Sequence, residues 1–292
     1  MSADAGRTAA PSSALEASGQ KPRETPTAVA AFYPWYEFVL TGIQMFCLVT
    51  AVRWFLAPSS PLAISGAQPA LAVIAVVMAA VLFCLIRSPW GRRSGAHMNP
   101  ALSLALWLMG AFPGRAVVRY AAAQMAGSLA GTALAGFVWR DAVRRAPVDF
   151  AVVRPAEGWQ APTVFAVEVA SLVVVTLLVG FFLAHPQAAT KLPYTLTVVT
   201  ALIVASLGPR TGASNNPARQ FGPAVLSGDF TNLAVYLVAP VLGGIIGAGI
   251  HRLLVRRMAA RRPLTYRLSP REGDLLRSEE RVVTAVPKAA GN

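Results

Sequence analysis

The chain has 292 residues, 55% hydrophobic and 13% charged, where a soluble domain carries about 25% charged residues. That deficit excludes an ordinary water-soluble globule and points to a lipid environment. The net charge of +13 would suggest nucleic acid on a soluble protein, but here it falls between and after apolar stretches, without a basic face of interleaved aromatics, and reads as topology and lipid-surface charge.

In chain order, residues 1–31 are rich in Ala, Ser, Pro and Thr and lack the apolar core of a signal peptide, which predicts a disordered cytoplasmic tail. About 20 apolar residues are needed to cross the hydrocarbon core as a helix. Six stretches are candidates: 36–57, 70–86, 116–138, 163–184, about 192–207 and 233–255. Trp35, Tyr36, Trp54, Phe55, Trp139 and Tyr194 sit near their ends, as an interfacial belt requires. Cys47 and Cys84 each lie inside an apolar run, so no disulfide framework or metal spacing arises. Two apolar stretches, 99–109 and 216–226, are too short to cross and read as re-entrant segments. Irregular backbone at that depth is tolerated only when buried in protein or lining a watery cavity, so the pair implies a cavity. From 258 to 292 the chain turns polar and basic and is predicted to be a second disordered tail; Arg256 and Arg257 just before it and Arg261 and Arg262 within it suit a topology signal.

Charge predicts the orientation. Arg87, Arg92, Arg93 and Arg115 lie between spans two and three, and Lys191 between four and five, while the loop between spans one and two carries no charge. Both termini are expected in the cytoplasm. Arg140, Arg144, Arg145 and Arg154 after span three run against the pattern, accompanied by Asp141, Asp149 and Glu157.

The chain also repeats itself. Gly95-Ala96-His97-Met98-Asn99-Pro100-Ala101 matches Gly212-Ala213-Ser214-Asn215-Asn216-Pro217-Ala218 at an offset of 117 residues (216 minus 99). Gly127 and Gly131 match Gly243 and Gly247, and Glu37 has a counterpart in Glu168. Each half, about 32–140 and 160–257, holds three spans and one half-span, and together they make one domain, 32–257. An odd number of spans per half inverts the second half relative to the first, which brings half-helix N-termini together near the midplane. The paired glycines read as close helix packing.

Asn is a strong N-cap and Pro is favoured at the first helical position, so Asn99-Pro100 and Asn216-Pro217 each predict a helix start. With each Asn oxygen capping, its NH₂ is left as a free donor. Two such amides facing each other would hold the oxygen of a passing water, and the partial positive charge of each helix N-terminus would disfavour cations and protons.

These strings, with Ser94 before the first and Arg219-Gln220-Phe221-Gly222-Pro223-Ala224 after the second, resemble the two signature loops of the aquaporin (major intrinsic protein) superfamily. The resemblance covers about 36–255. It implies an all-α membrane fold, an hourglass of six transmembrane helices plus two half-helices, and a homotetramer in the cell membrane with one pore per subunit. The function it implies is passive passage of water and small uncharged solutes, with no cofactor and no metal. It also implies a second constriction of four positions, which fall here at Ala79, Val204, Ala213 and Arg219. Water-selective members have a bulky aromatic and a His where this chain has Ala79 and Val204. The small set resembles the wide filters of some plant nodulin-like proteins, and predicts passage of glycerol, urea or metalloid hydroxides such as boric acid, with a strict water channel as the alternative. Glycerol facilitators usually carry Asp after the filter Arg; this chain has Gln220.

By the same resemblance Glu37 and Glu168 hold loop backbone. His97 reads as a loop hydrogen-bonding residue, since no partner ligand is near in sequence. Gln44 and Gln124 are expected to bridge helices, and His251 and Arg252 to mark the end of span six. The rival from another class is an ion-coupled secondary transporter, which shares inverted repeats and half-helices and would carry its ion on Glu37 or Glu168. The sequence offers no nucleophile–base pair, metal ligand set or cofactor loop for an enzyme.

Overall fold

The computed structural model describes residues 33–259, 264–268 and 278–282. The tail expected at 1–31 lies outside the described residues. Among the described residues ten α-helices are formed in order: α1 Tyr33–Leu56, α2 Ala67–Arg87, α3 Pro89–Ser94, α4 Pro100–Leu108, α5 Gly114–Trp139, α6 Asp141–Arg144, α7 Ala161–Ala184, α8 Leu192–Thr211, α9 Pro217–Ser227 and α10 Leu233–Ala259. Two 3₁₀ turns, Asp149–Ala151 and Pro186–Lys191, lie between α6 and α7 and between α7 and α8. Helices α1, α2, α5, α7 and α10, and α8 together with the 3₁₀ turn before it, contain the six stretches, among the described residues, that are long and apolar enough to cross a membrane. Beyond α10, where a structureless tail is expected from 258, Leu264–Leu268 pairs antiparallel with Ser278–Val282, and the remaining tail residues lie outside the described set.

The bundle is apolar on its outer face and holds polar side chains among the apolar ones inside. Val118 is 76% exposed, Phe137 74%, Val76 67% and Leu202 63%, whereas Glu37, Gln124, Ser128, Thr132, Glu168 and Thr176 are buried completely. In water that distribution would be unstable; in lipid it is required, because hydrocarbon solvates the outer apolar faces and leaves polar groups to pair within.

The two halves pack alike. On α5, a Cβ at Gly127 would overlap the carbonyl of Phe38, and one at Gly131 the carbonyl of Gly42, both on α1. On α10, a Cβ at Gly243 would meet the carbonyl of Val169, and one at Gly247 would lie 2.7 Å from the Thr176 Cβ, both on α7. Without a hydrophobic drive between helices in lipid, such backbone-to-backbone approach is what holds them. Half-helix α9 seats against α5 through Gly222, whose N–H donates to Ser128 Oγ at 3.0 Å. Half-helix α4 seats against α10, where Gly244 faces the carbonyl of Ala101.

Helix α8 runs further than the sequence predicts, to Thr211 rather than 207. Gly208-Pro209 looks like a terminator, but a proline in the last turn removes only one intrahelical bond. The end is held from outside: the Tyr236 hydroxyl on α10 donates to the Thr211 carbonyl at 2.6 Å. Tyr120 on α5 does the same for the Ser94 carbonyl of α3, at 2.8 Å.

Candidate functional site

The two Asn-Pro-Ala loops have the same backbone. Gly95 and Gly212 end their helices at φ 96° and 85°, in the left-handed region glycine enters without strain. Ala96 and Ala213 follow at 48° and 47°, then Met98 and Asn215 at 47° and 50°. Each of these four non-glycine residues costs about 1–2 kcal/mol. A buried carboxylate compensates in each half. Glu37 accepts from Ser94 Oγ (2.7 Å), His97 N (3.1 Å), Met98 N (2.7 Å) and Gln124 Nε2 (2.7 Å). Glu168 accepts from Thr211 Oγ1 (3.0 Å), Ser214 N (3.2 Å) and Asn215 N (2.7 Å). Loop amides and neighbouring side chains thus donate to both acids, the arrangement that a loop-holding role needs.

Asn99 accepts from Ala101 N (2.9 Å) and Leu102 N (3.4 Å), and Asn216 from Ala218 N (2.9 Å), with Pro100 and Pro217 as the first helical residues. The sequence predicts free amide donors, but the amide nitrogens are not wholly free. Asn99 Nδ2 donates to the Asn215 carbonyl (2.9 Å), and Asn216 Nδ2 to the Met98 carbonyl (2.8 Å). Each cap thus spends one hydrogen on the opposite loop and keeps one. The crossed pair fixes two oppositely directed half-helices tip to tip. Both asparagines remain part-exposed, while Ala101 and Ala218 beneath them are fully buried.

His97 is buried, its Nδ1 3.0 Å from Ser103 Oγ, and its ring packs edge-on to Phe112. Gln124 bridges α5 to α1 through Glu37 and to α4 through Ser103 Oγ (3.1 Å).

Arg219, in the first turn of α9, donates from Nη1 to the Ala151 carbonyl at 2.7 Å. That carbonyl belongs to a hook in which Asp149, Phe150 and Ala151 take φ 38°, 52° and 60° in succession. Phe150 is pressed against Gly136 of α5, where a Cβ would lie 2.8 Å from the Phe150 ring. Arg154 joins the hook to the end of α9 by ion pairs to Asp149 and to Asp229, the latter at 2.6 Å. Nothing in the local sequence marks three consecutive left-handed non-glycine residues, so the hook is invisible before the fold is known. Asp229 lies outside the spans. The Thr231 amide and hydroxyl, then Arg154, hold its carboxyl below the usual range. Its stabilising effect is therefore complete above the ordinary carboxylate value, near pH 4, and is lost as pH falls through the lower folded value. Since Arg154 is half exposed, the pair is worth at most about 1 kcal/mol. Melting temperature against pH is expected to dip below about pH 4 in the wild type, and to dip less in Asp229→Asn.

Of the other predicted filter positions, Ala213 is buried in the second loop, its N–H donating to Thr211 Oγ1 at 3.1 Å. Val204 lies half-buried on α8, where its Cγ1 and the Leu71 Cδ1 of α2 both face Gly208. Ala79 is half-buried on α2. Gln220, weighed in the sequence only for not being Asp, is fully buried and bonds both backbone groups of Val153.

The sequence profile described as Major intrinsic protein matches residues 28–251. The chain belongs to this family. The propanediol uptake facilitator of Citrobacter freundii is 30% identical over 250 residues, covering 75% of this chain and 90% of its own. The probable aquaporin NIP7-1 of Arabidopsis thaliana is 31% identical over 243 residues, covering 82% of each. The X-ray structure of the aquaglyceroporin from Plasmodium falciparum matches with a TM-score of 0.64 at 20% identity, over 77% of this chain and 97% of its own, a likeness of fold. As a major intrinsic protein, the chain is a multi-pass membrane channel for water and small neutral solutes.

Proposed function

We propose that this channel passes glycerol, urea or metalloid hydroxides such as boric acid as well as water, and excludes protons and ions. The observation that carries the exclusion is the crossed pair of capping amides. Each retains one hydrogen, and each stands at a half-helix N-terminus with roughly half a positive charge. A water or hydroxyl between them gives its oxygen to both amides, and its own hydrogens turn outward along the file. A cation or hydronium meets two positive helix ends and Arg219. The width of the filter rests on Ala79, Val204 and Ala213, all too small to close a ring around Arg219. Relatives described as propanediol and glycerol uptake facilitators support solutes wider than water.

The assembly we propose is a homotetramer in the cell membrane with both termini cytoplasmic. Exposed apolar faces such as Val73 and Val76 on α2 and Val198 and Leu202 on α8 are available to lipid or to neighbouring subunits. Arg87, Arg92, Arg93, Arg115 and Lys191 are exposed in the loops assigned to the inside.

Stopped-flow light scattering on proteoliposomes tests the reading. The expected result is water flux with swelling in at least one of glycerol, urea and boric acid, independent of any pH gradient. Water flux alone would make this a strict water channel. Saturable uptake that follows a pH gradient would move it to the transporters.

A further inference from the structure

We infer that Gln220 is a specificity-determining positioning residue: by clamping Val153 it fixes the Ala151 carbonyl, and through that carbonyl the pose of Arg219 in the constriction. The inference rests on the reading of Arg219 as a pore-lining residue.

The Val153 N–H donates to Gln220 Oε1 at 2.9 Å, and Gln220 Nε2 donates to the Val153 carbonyl at 3.2 Å. Of the common side chains an amide suits this task, because it offers one acceptor and one donor in a plane, as a backbone partner would. Gln220 is fully buried and Val153 nearly so, and water does not substitute for either bond. Val153 is two residues beyond Ala151, which takes the Arg219 hydrogen bond. Arg219 and Gln220 are consecutive in the first turn of α9, so one reaches the hook as a cation and the other as an amide. The hook does not hold this shape by intrinsic preference, since Asp149, Phe150 and Ala151 are all left-handed. It needs fasteners. Phe150 on Gly136 anchors one end, Val153 fills the space beside Gly212 at the other, and the ion pairs of Arg154 are exposed and weak. The Gln220 clamp adds a buried polar fastener at the Val153 end.

The internal repeat sharpens the argument. The counterpart of Gln220 in the first half is Ser103, 117 residues earlier, whose hydroxyl meets His97 and the Asn99 carbonyl of its own loop and the Gln124 side chain of α5. The counterpart of Arg219 is Leu102. Where the half has no arginine to steer, its following residue takes its backbone partner, the Asn99 carbonyl, from its own loop. The long amide occurs where a guanidinium must be held to one wall.

Released from the Ala151 carbonyl, the guanidinium is free to fall across the passage. The test is Gln220→Met, close in shape and lacking both bonds, in proteoliposomes with channel number measured. The expected result is a fall of at least fivefold, per folded channel, in permeability to the largest solute the wild type passes. Where smaller solutes also pass, theirs falls less. A fastener with a merely structural role would leave per-channel permeability and the ratio between solutes unchanged, and that outcome overturns the inference. Should Gln220→Met fail to assemble, Gln220→Glu carries the same test, since it keeps the acceptor for Val153 N–H and loses the donor. A wild type without any water flux would overturn the channel reading; a conducting wild type with an unmoved variant overturns this inference alone.

Discussion

Glu37→Leu is expected to prevent recovery of folded channel. The substitution removes the acceptor for Ser94 Oγ, His97 N, Met98 N and Gln124 Nε2, all in the buried interior. Hydrogen bonds to a charged acceptor contribute roughly 1.5–3 kcal/mol each, and stranded buried donors add desolvation. The terms are not additive, but a total on the order of 5 kcal/mol is comparable to the whole stability margin of many domains. The left-handed residues Ala96 and Met98 would lose what compensates their strain. Glu37→Gln, which keeps one acceptor oxygen but turns an NH₂ toward donors, should fall between. Size-exclusion profiles and thermal melts in detergent read this directly. A Glu37→Leu protein that elutes and melts like wild type would mean the carboxylate does not hold the loop. A Glu37→Gln channel that folds should retain pH-independent flux, which an ion-coupled carrier would not.

Asn216→Asp should fold and leak protons. Asp caps a helix as well as Asn does, so one carboxylate oxygen keeps the bond from Ala218 N. The other replaces the nitrogen that donates to the Met98 carbonyl, setting two acceptors face to face. More important, a full negative charge arrives where the half-helices present partial positive ones. At an effective dielectric constant of about 20, a unit charge at about 4 Å lowers a cation's energy by about 4 kcal/mol. With part of that offset by the remaining helix dipoles, proton or sodium conductance should rise at least about 100-fold. A pH-sensitive dye trapped in proteoliposomes, under a potassium diffusion potential, measures it. An unchanged proton leak in a variant that still passes water would place the cation barrier elsewhere than the paired asparagines.

Much of the site was legible because its chemistry is local. An asparagine before a proline at the head of a short apolar run states a helix start in four residues, and its recurrence 117 residues on states a repeat. The acids Glu37 and Glu168 stand out because a carboxylate inside an apolar span must have partners. The crossing of the amides was not legible. Which acceptor takes the second side-chain group of Asn99 depends on a carbonyl 116 residues away in the inverted half. The same holds for Gln220, whose partner Val153 is 67 residues distant in an irregular segment with no periodicity to betray it.

The sequence by itself determined the solvent, the six spans, the two half-spans and their inverted relation, since each follows from apolar length, charge placement and short-range capping. Only the tertiary structure decided where α8 ends, how the asparagine amides divide their hydrogens, and that a strained hook from 149 to 151 presents its carbonyl to Arg219. The physical reason is the same in each case. Span length and capping are settled within one or two turns of chain, whereas a buried polar group takes whichever distant partner the packed backbone brings within 3 Å, and the energy of leaving it unpaired enforces that choice.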